Sequence, residues 1–305
     1  MGSVMTPRET KLTEFLRPDI VSRLANMELR ARLIVEGFIA GLHRSPYHGF
    51  SVEFAEYRQY NAGESTRNVD WKIYAKTDRY YVKMFEDETN LRATLLLDSS
   101  ASMDYGNGEV TKLRYTTLLG AALGYLMITQ RDAVGLVVFD ERIRAILPHR
   151  STRKHLLYLL GELERIESGG KTTIGNALHE MAERVKRRGL IILFSDLLDD
   201  PLDVMEGLKH FRHRGHEVVV FHILDPTELT LDFPGEIQFV DKETGERLRT
   251  RPWFLGGEYR KNVKEWISGL ERECKENAID YNLVTTETPF DQALVSYLNK
   301  RRRLR

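Results

Sequence analysis

The chain is short of the residues that would tie it to several large function classes. Among 305 residues there is one cysteine, Cys274, so neither an internal disulfide framework nor a cysteine-built zinc site can form. Cys274 lies in a polar helical stretch with no catalytic context around it, which marks a bystander thiol and not a nucleophile. Long apolar runs are missing too. Nothing approaches the roughly 18 consecutive apolar residues that cross a bilayer, and the N-terminus lacks the apolar core of a signal peptide. Neither sign of charge is in excess, with Lys+Arg and Asp+Glu at 45 each. That balance argues against nucleic acid or an anionic membrane as the main partner. The expectation is a reduced, cytoplasmic protein of ordinary globular composition, 42% hydrophobic and 30% charged, long enough for one large domain or two modest ones.

What is present is an alternation of strand and helix signals. Apolar runs at 92–98, 133–139, 189–195, 217–223 and 279–284 read as strands buried on both faces, hence a parallel sheet with helices on each side. Helical periodicity fills the gaps at about 112–130, 153–166, 174–188, 201–213, 259–276 and 289–301. Ahead of this, Ile20, Leu24, Met27, Ala31, Ile34 and Phe38 recur at three- and four-residue intervals, one buried face of a helix within 11–42. Residues 43–90 change character, with strand signals at 51–60 and 79–85. Glu53, Arg58, Arg67 and Asp70 beside Trp71 suggest an ion-pair network bracing that segment against the sheet. The stretch 226–257 interrupts the alternation as a β-hairpin excursion, with strands near 236–241 and 246–250 around a Lys-Glu-Thr-Gly turn. The organisation expected is a 1–90 region of helix and β-rich segment packed on a 91–305 α/β domain.

Candidate chemistry gathers at the strand ends. Asp98-Ser-Ser-Ala-Ser102 follows the apolar run Leu91–Leu97, placing one carboxylate and two hydroxyls at a sheet edge, where open α/β folds bind ligands. These are hard oxygen donors of the kind Mg²⁺ accepts while keeping several waters. Ser195-Asp196 puts another carboxylate at a strand end, and Gly169-Gly-Lys-Thr-Thr173 puts hydroxyls in a loop before Ile174. Asp98, Ser100, Ser102, Thr172 (or Thr173) and Asp196 are thus expected to converge on one ion. Mg²⁺ is favoured, with Mn²⁺ or Ca²⁺ as alternatives.

Those residues resemble the metal-ion-dependent adhesion site of the von Willebrand factor A fold: Asp-x-Ser-x-Ser, a Thr shortly before an Ile, and an Asp after an apolar strand. Thr172, two residues before Ile174, matches that spacing better than Thr173. The resemblance implies a doubly wound, mostly parallel α/β sheet with Rossmann-type layers and an N-terminal helical and β extension. It also implies a non-enzymatic role, in which an acidic residue of a protein partner completes the ion's coordination. A second resemblance covers more of the chain. Gly41-Leu-His-Arg-Ser45, Gly49 to Arg58, Tyr60-Asn-Ala-Gly63, Arg67-Asn-Val-Asp-Trp-Lys72, Tyr74 to Arg79, Leu224-Asp-Pro-Thr-Glu228 and Asp241-Lys-Glu-Thr-Gly245 resemble the bacterial domain of unknown function 58. Glu64 stands where that family usually has Asp. Its members are often encoded beside MoxR-type AAA+ ATPases, so the resemblance implies an adaptor or co-chaperone acting with such an ATPase in protein maturation.

Other readings fare worse. Gly170-Lys-Thr172 imitates the end of a phosphate-binding loop, but Arg165 stands where the first Gly belongs. His179-Glu180 and His216-Glu217 begin a zinc-protease motif whose second His is replaced by Glu183 or Val220. His43 and His48 have no third ligand in view. An alternative from another class is a Mg²⁺-dependent hydrolase or phosphatase using Asp98 and Asp196, for which Asp199 and Asp200 are the nearest carboxylates to supply a base.

Overall fold

A computed structural model describes residues 17–22, 26–42, 57–59, 81–83, 91–170, 174–233, 235–240, 247–250 and 252–303. Two short strands come first, β1 (Tyr57–Gln59) and β2 (Tyr81–Lys83), paired antiparallel. The main sheet is built from β3 (Arg92–Asp98), β4 (Ala133–Phe139), β5 (Ile143–Arg150), β6 (Leu190–Ser195), β7 (Glu217–Leu224) and β10 (Asp280–Thr285). The excursion between β7 and β10 contains β8 (Ile237–Val240) and β9 (Arg247–Thr250), which pair antiparallel as the hairpin pattern required. The order across the main sheet is β10-β7-β6-β3-β4-β5. All neighbours run parallel except β5, which pairs antiparallel with β4 at the edge. Counting only these six strands along the chain, the order is 3-2-1-4-5-6, the doubly wound arrangement, whose direction reverses between the first and fourth strands. Those two strands are β3 and β6.

Helices cover both faces. Helices α1 (Pro18–Ser22), α2 (Met27–Leu42), α3 (Lys112–Thr129) and α4 (Arg153–Arg165) precede α5 (Ile174–Arg184) and α6 (Pro201–His213). The chain then adds α7 (Pro226–Thr230), α8 (Pro252–Glu276) and α9 (Phe290–Arg303). Alternate residues of each central strand point to opposite faces, and the two cores divide accordingly. Leu95, Leu97, Ile192, Phe194, Val219 and Phe221 pack under α2, α3, α4 and α9. Leu96, Ile191, Leu193, Val218 and Val220 pack under α5, α6 and α8. Of the predicted stripe, Met27, Ala31, Ile34 and Phe38 are buried on α2, Ile20 falls in the separate α1, and Leu24 lies outside the described residues. Cys274 is fully buried in the second core, 3.9 Å from the Met205 sulfur, and burial pushes its thiol up to about 12. That is an inert packing residue, as its sequence context indicates.

Gly189 lies where the chain enters β6, and a Cβ there would sit 2.3 Å from the Arg92 carbonyl oxygen. Backbone on both sides cannot yield as a side chain would. Gly189→Ala is expected to cost about 1–3 kcal/mol as overpacking, measured by urea denaturation; an unchanged midpoint would show that the two strands can separate there.

A histidine on the edge strand makes stability depend on pH. His149 shares a 2.8 Å hydrogen bond with the Thr94 hydroxyl, and burial, with help from Arg92 and His155, lowers its pKa to about 4. The unfolded chain takes up that proton near pH 6.5, so between about pH 6.5 and 4 the unfolded state binds more protons and stability falls as pH falls. His149→Gln is expected to flatten the stability profile between pH 7 and 5, as followed by denaturant midpoints. An identical slope would remove His149 as a source.

Candidate metal-ion adhesion site

The switch point between β3 and β6 brings Asp98 and Asp196 to one edge, and both are fully buried. Asp98 ends β3. Its Oδ1 accepts the Ser100 backbone N–H at 2.9 Å, and its Oδ2 accepts the Ser195 hydroxyl at 2.6 Å. Residues 101–104 then turn in a 3-10 helix that sets the Ser100 and Ser102 hydroxyls 3.0 Å apart. Burial, and secondarily the charge of Asp196, push the Asp98 carboxyl up to about 7. A carboxylate so placed lacks a cation.

The residues on either side of 171–173 are anchored separately, Gly169 and Gly170 to this turn and Ile174 and Gly175 to Asp199. Gly169 N–H donates to the Ser99 carbonyl, and Ala101 N–H to the Gly170 carbonyl. On the other side, the Asp199 carboxylate accepts the backbone N–H groups of Ile174 and Gly175. Thr172 and Thr173 themselves lie outside the described residues. So do Glu53, Arg67, Asp70, Trp71, His43 and His48, while Arg58 falls in the described backbone of β1. Asp199 and Asp200, the carboxylates nearest to hand for a hydrolytic base, serve as caps. Asp199 holds the start of α5, and Asp200 accepts the Leu202 N–H as N-cap of α6.

The structure adds two residues that the sequence pattern did not single out. Lys112 is fully buried, and its ammonium donates to Asp196 Oδ2 at 2.7 Å and to Glu228 Oε1 at 2.6 Å. Burial opposes the lysine's charge, but the two carboxylates outweigh it and its pKa is raised. Glu228 is raised as well, because burial outweighs the pull of Lys112. Its second oxygen accepts the Asp225 N–H, closing a capping box at the start of α7. Lys112 is the first residue of α3, after the Thr111 N-cap. A cation there opposes the helix dipole, and that misplaced charge was the available signal. Behind the pair, His222 shares a 2.8 Å hydrogen bond with the Asp196 carbonyl oxygen and is lowered to about 4 by burial.

With every carboxylate ionised, Asp196 and Glu228 share the Lys112 ammonium and Asp98 lies beside Asp196, so three carboxylates meet one cation and two negative charges stay uncompensated within the cluster. One carboxylate without an ion pair and two adjacent hydroxyls are donors that a hard divalent ion accepts, so the residues present fit such an ion at Asp98, Ser100 and Ser102. No group of three or more His, Cys, Asp or Glu side chains suited to a metal occurs among the described residues. The fit therefore rests on the serine hydroxyls. Among the described residues no helix is long and apolar enough to cross a membrane.

Comparison with known proteins gives relatives of modest identity. Uncharacterized proteins of Mycobacterium bovis and Mycobacterium tuberculosis are 26% identical over 231 residues, covering 75% of this chain and 72% of theirs. Among solved structures, the conserved hypothetical protein BatB of Bacteroides thetaiotaomicron is 18% identical, with 70% of this chain and 99% of that chain covered at a TM-score of 0.49. An aerotolerance-related membrane protein of Bacteroides fragilis is 21% identical, covering 69% and 99% at a TM-score of 0.47. The sheet found here is doubly wound and mostly parallel, the α/β class expected from the sequence. The family model described as protein of unknown function DUF58 matches residues 56–253, more than half of the 305 residues, and the chain belongs to that family.

Proposed function

We propose that this chain is a protein-interaction module without chemistry of its own, and that it grips an acidic residue of its partner through a divalent ion, Mg²⁺ first, held by Asp98, Ser100 and Ser102. Thr172 and Asp196 support that ion directly or through water. The carrying observation is the buried, cation-deficient Asp98 at the switch point of the sheet, where open α/β folds place ligands. Exposed leucines follow Asp196, Leu198 in the loop at 45% and Leu202 in the first turn of α6 at 68%. Exposed apolar side chains near a polar centre suit a protein partner better than a small solute. Capping roles for Asp199 and Asp200 take from the hydrolase reading its nearest bases.

The partner proposed is a MoxR-type AAA+ ATPase, with this chain acting as adaptor or co-chaperone in protein maturation. The test is capture of a MoxR-type AAA+ ATPase, in Mg²⁺ and in chelator, by the wild type and by Asp98→Ala. Capture by the wild type in Mg²⁺ alone supports the reading. Equal capture by a folded Asp98→Ala protein would sink it.

A further inference from the structure

Lys112 holds the position in which a second ligand carboxylate would otherwise be free. Its ammonium takes one oxygen of Asp196, whose other oxygen accepts the Leu198 N–H at 3.3 Å. Both oxygens of the Asp196 carboxylate are therefore engaged by the chain itself. The second half of the lysine's hydrogen bonding goes to Glu228, 20% exposed at the rim, whose own partner is the Asp225 backbone. The lysine backbone N–H is bonded to the Tyr105 carbonyl, and the ammonium lies 5.7 Å from the Tyr105 ring centre. The Tyr105 hydroxyl reaches Thr227 at 2.8 Å. One buried cation thus ties the loop after β6, the start of α7 and the turn after Ser102 into one unit.

We propose that Lys112 is a resident counter-cation of the adhesion site, competing with the divalent ion for Asp196 and setting how tightly that ion is held. The inference rests on the metal-dependent reading above. An ion beside Asp98 feels the ammonium as a like charge and Asp196 as a half-neutralised one. Both effects weaken its binding, and neither is well screened in a buried site. Removing the lysine charge leaves the cluster with three negative charges in place of two, and the ion gains Asp196 as a ligand. Removing the Glu228 charge does the reverse: the cluster falls to one negative charge, and the lysine is left with Asp196 alone. The two changes therefore move affinity in opposite directions, although both break the same ion-pair network.

Purely structural bracing makes no such distinction. If Lys112 only holds the loops together, both variants loosen the site and both weaken the ion.

The experiment is isothermal titration of the full chain with MgCl₂ at pH 8, comparing wild type, Lys112→Met, Lys112→Arg and Glu228→Gln. Lys112→Met is expected to bind Mg²⁺ at least tenfold tighter than wild type, Lys112→Arg within a few-fold of it, and Glu228→Gln at least threefold weaker. Should Lys112→Met fail to fold in chelator, Lys112→Gln, which removes the charge but keeps a hydrogen-bond donor for Asp196, carries the test with the same expected tightening. Binding by Lys112→Met but not by wild type would support the competition in its strongest form. Unchanged or parallel weakening in both variants, with wild type binding normally, would overturn the inference and leave the metal reading standing. Silence from every protein, wild type included, would bring down the metal reading and this inference with it.

Discussion

Lys112→Met in chelator is expected to lose about 3–5 kcal/mol of folding stability, the usual cost of removing one partner from a buried ion pair. At roughly 2–4 °C per kcal/mol for a domain of this size, the melting temperature should fall by about 6–20 °C. The loss is large because the lysine is fully buried with Asp196 and also pairs with a second carboxylate, Glu228. Methionine fills nearly the same volume and leaves both carboxylates without their cation. Pairing the change with Glu228→Gln should recover part of the loss, since the second orphaned charge is then gone; groups in one network do not add independently. A chelator melt of the two variants and the double variant decides it. A fall below about 1 kcal/mol would mean that Asp196 can find water or another donor once the lysine is removed.

The same residue shows what a sequence can and cannot display. The central strands were legible because each is an apolar run of strand length, and burial on both faces leaves no other use for one. The hairpin at 237–250 was legible for a similar reason: two short strand-like segments flank a turn signal. β5 was not foreseen. It is an antiparallel edge strand with alternate residues half-buried, and it contains Pro148, which reads as a break. The start of α8 was placed seven residues late, because Gly256 and Gly257 punctuate a helix that in fact begins at Pro252. In the candidate site, Asp98, Ser100, Ser102 and Asp196 were singled out because they lie at a strand end or within a few residues after one, and strand ends are readable. Lys112 and Glu228 follow other elements, after a turn and within a short helix. Their meeting depends on β7 lying beside β6 and on α3 starting above both, which is topology and not pattern. A hard metal ion calls for oxygen donors, and a lysine offers none. Its signature was an energetic oddity, a cation in the first turn of a helix with no acidic residue there.

Asp98→Asn is expected to produce melting curves that cross those of the wild type. In chelator at pH 8 the variant should be the more stable protein, because wild-type Asp98 must ionise in a buried site beside Asp196. A carboxyl raised to about 7 carries that penalty above pH 7. The sign follows from linkage. The folded state keeps the Asp98 proton up to about pH 7 while the unfolded chain releases it near pH 4, so the wild type loses stability as pH rises between those values. Asparagine has no charge to bury, and its side-chain oxygen can still accept the Ser100 N–H that Asp98 accepts at 2.9 Å. The gain should be on the order of 1–3 kcal/mol. Saturating Mg²⁺ should reverse the order. An ion at 100 times its dissociation constant adds about 2.7 kcal/mol to the wild type, a shift of about 5–10 °C, and nothing to a variant that has lost its ligand. A residue that destabilises the free protein and stabilises the loaded one serves function over folding. Thermal melts of both proteins, each in chelator and in Mg²⁺, supply all four values. If Mg²⁺ moves neither protein, the ion has no place at Asp98. Should Asp98→Asn instead melt below the wild type in chelator at pH 8, the carboxylate is a structural hydrogen-bond acceptor for Ser195 and Ser100, and the cation deficit inferred from its burial does not exist.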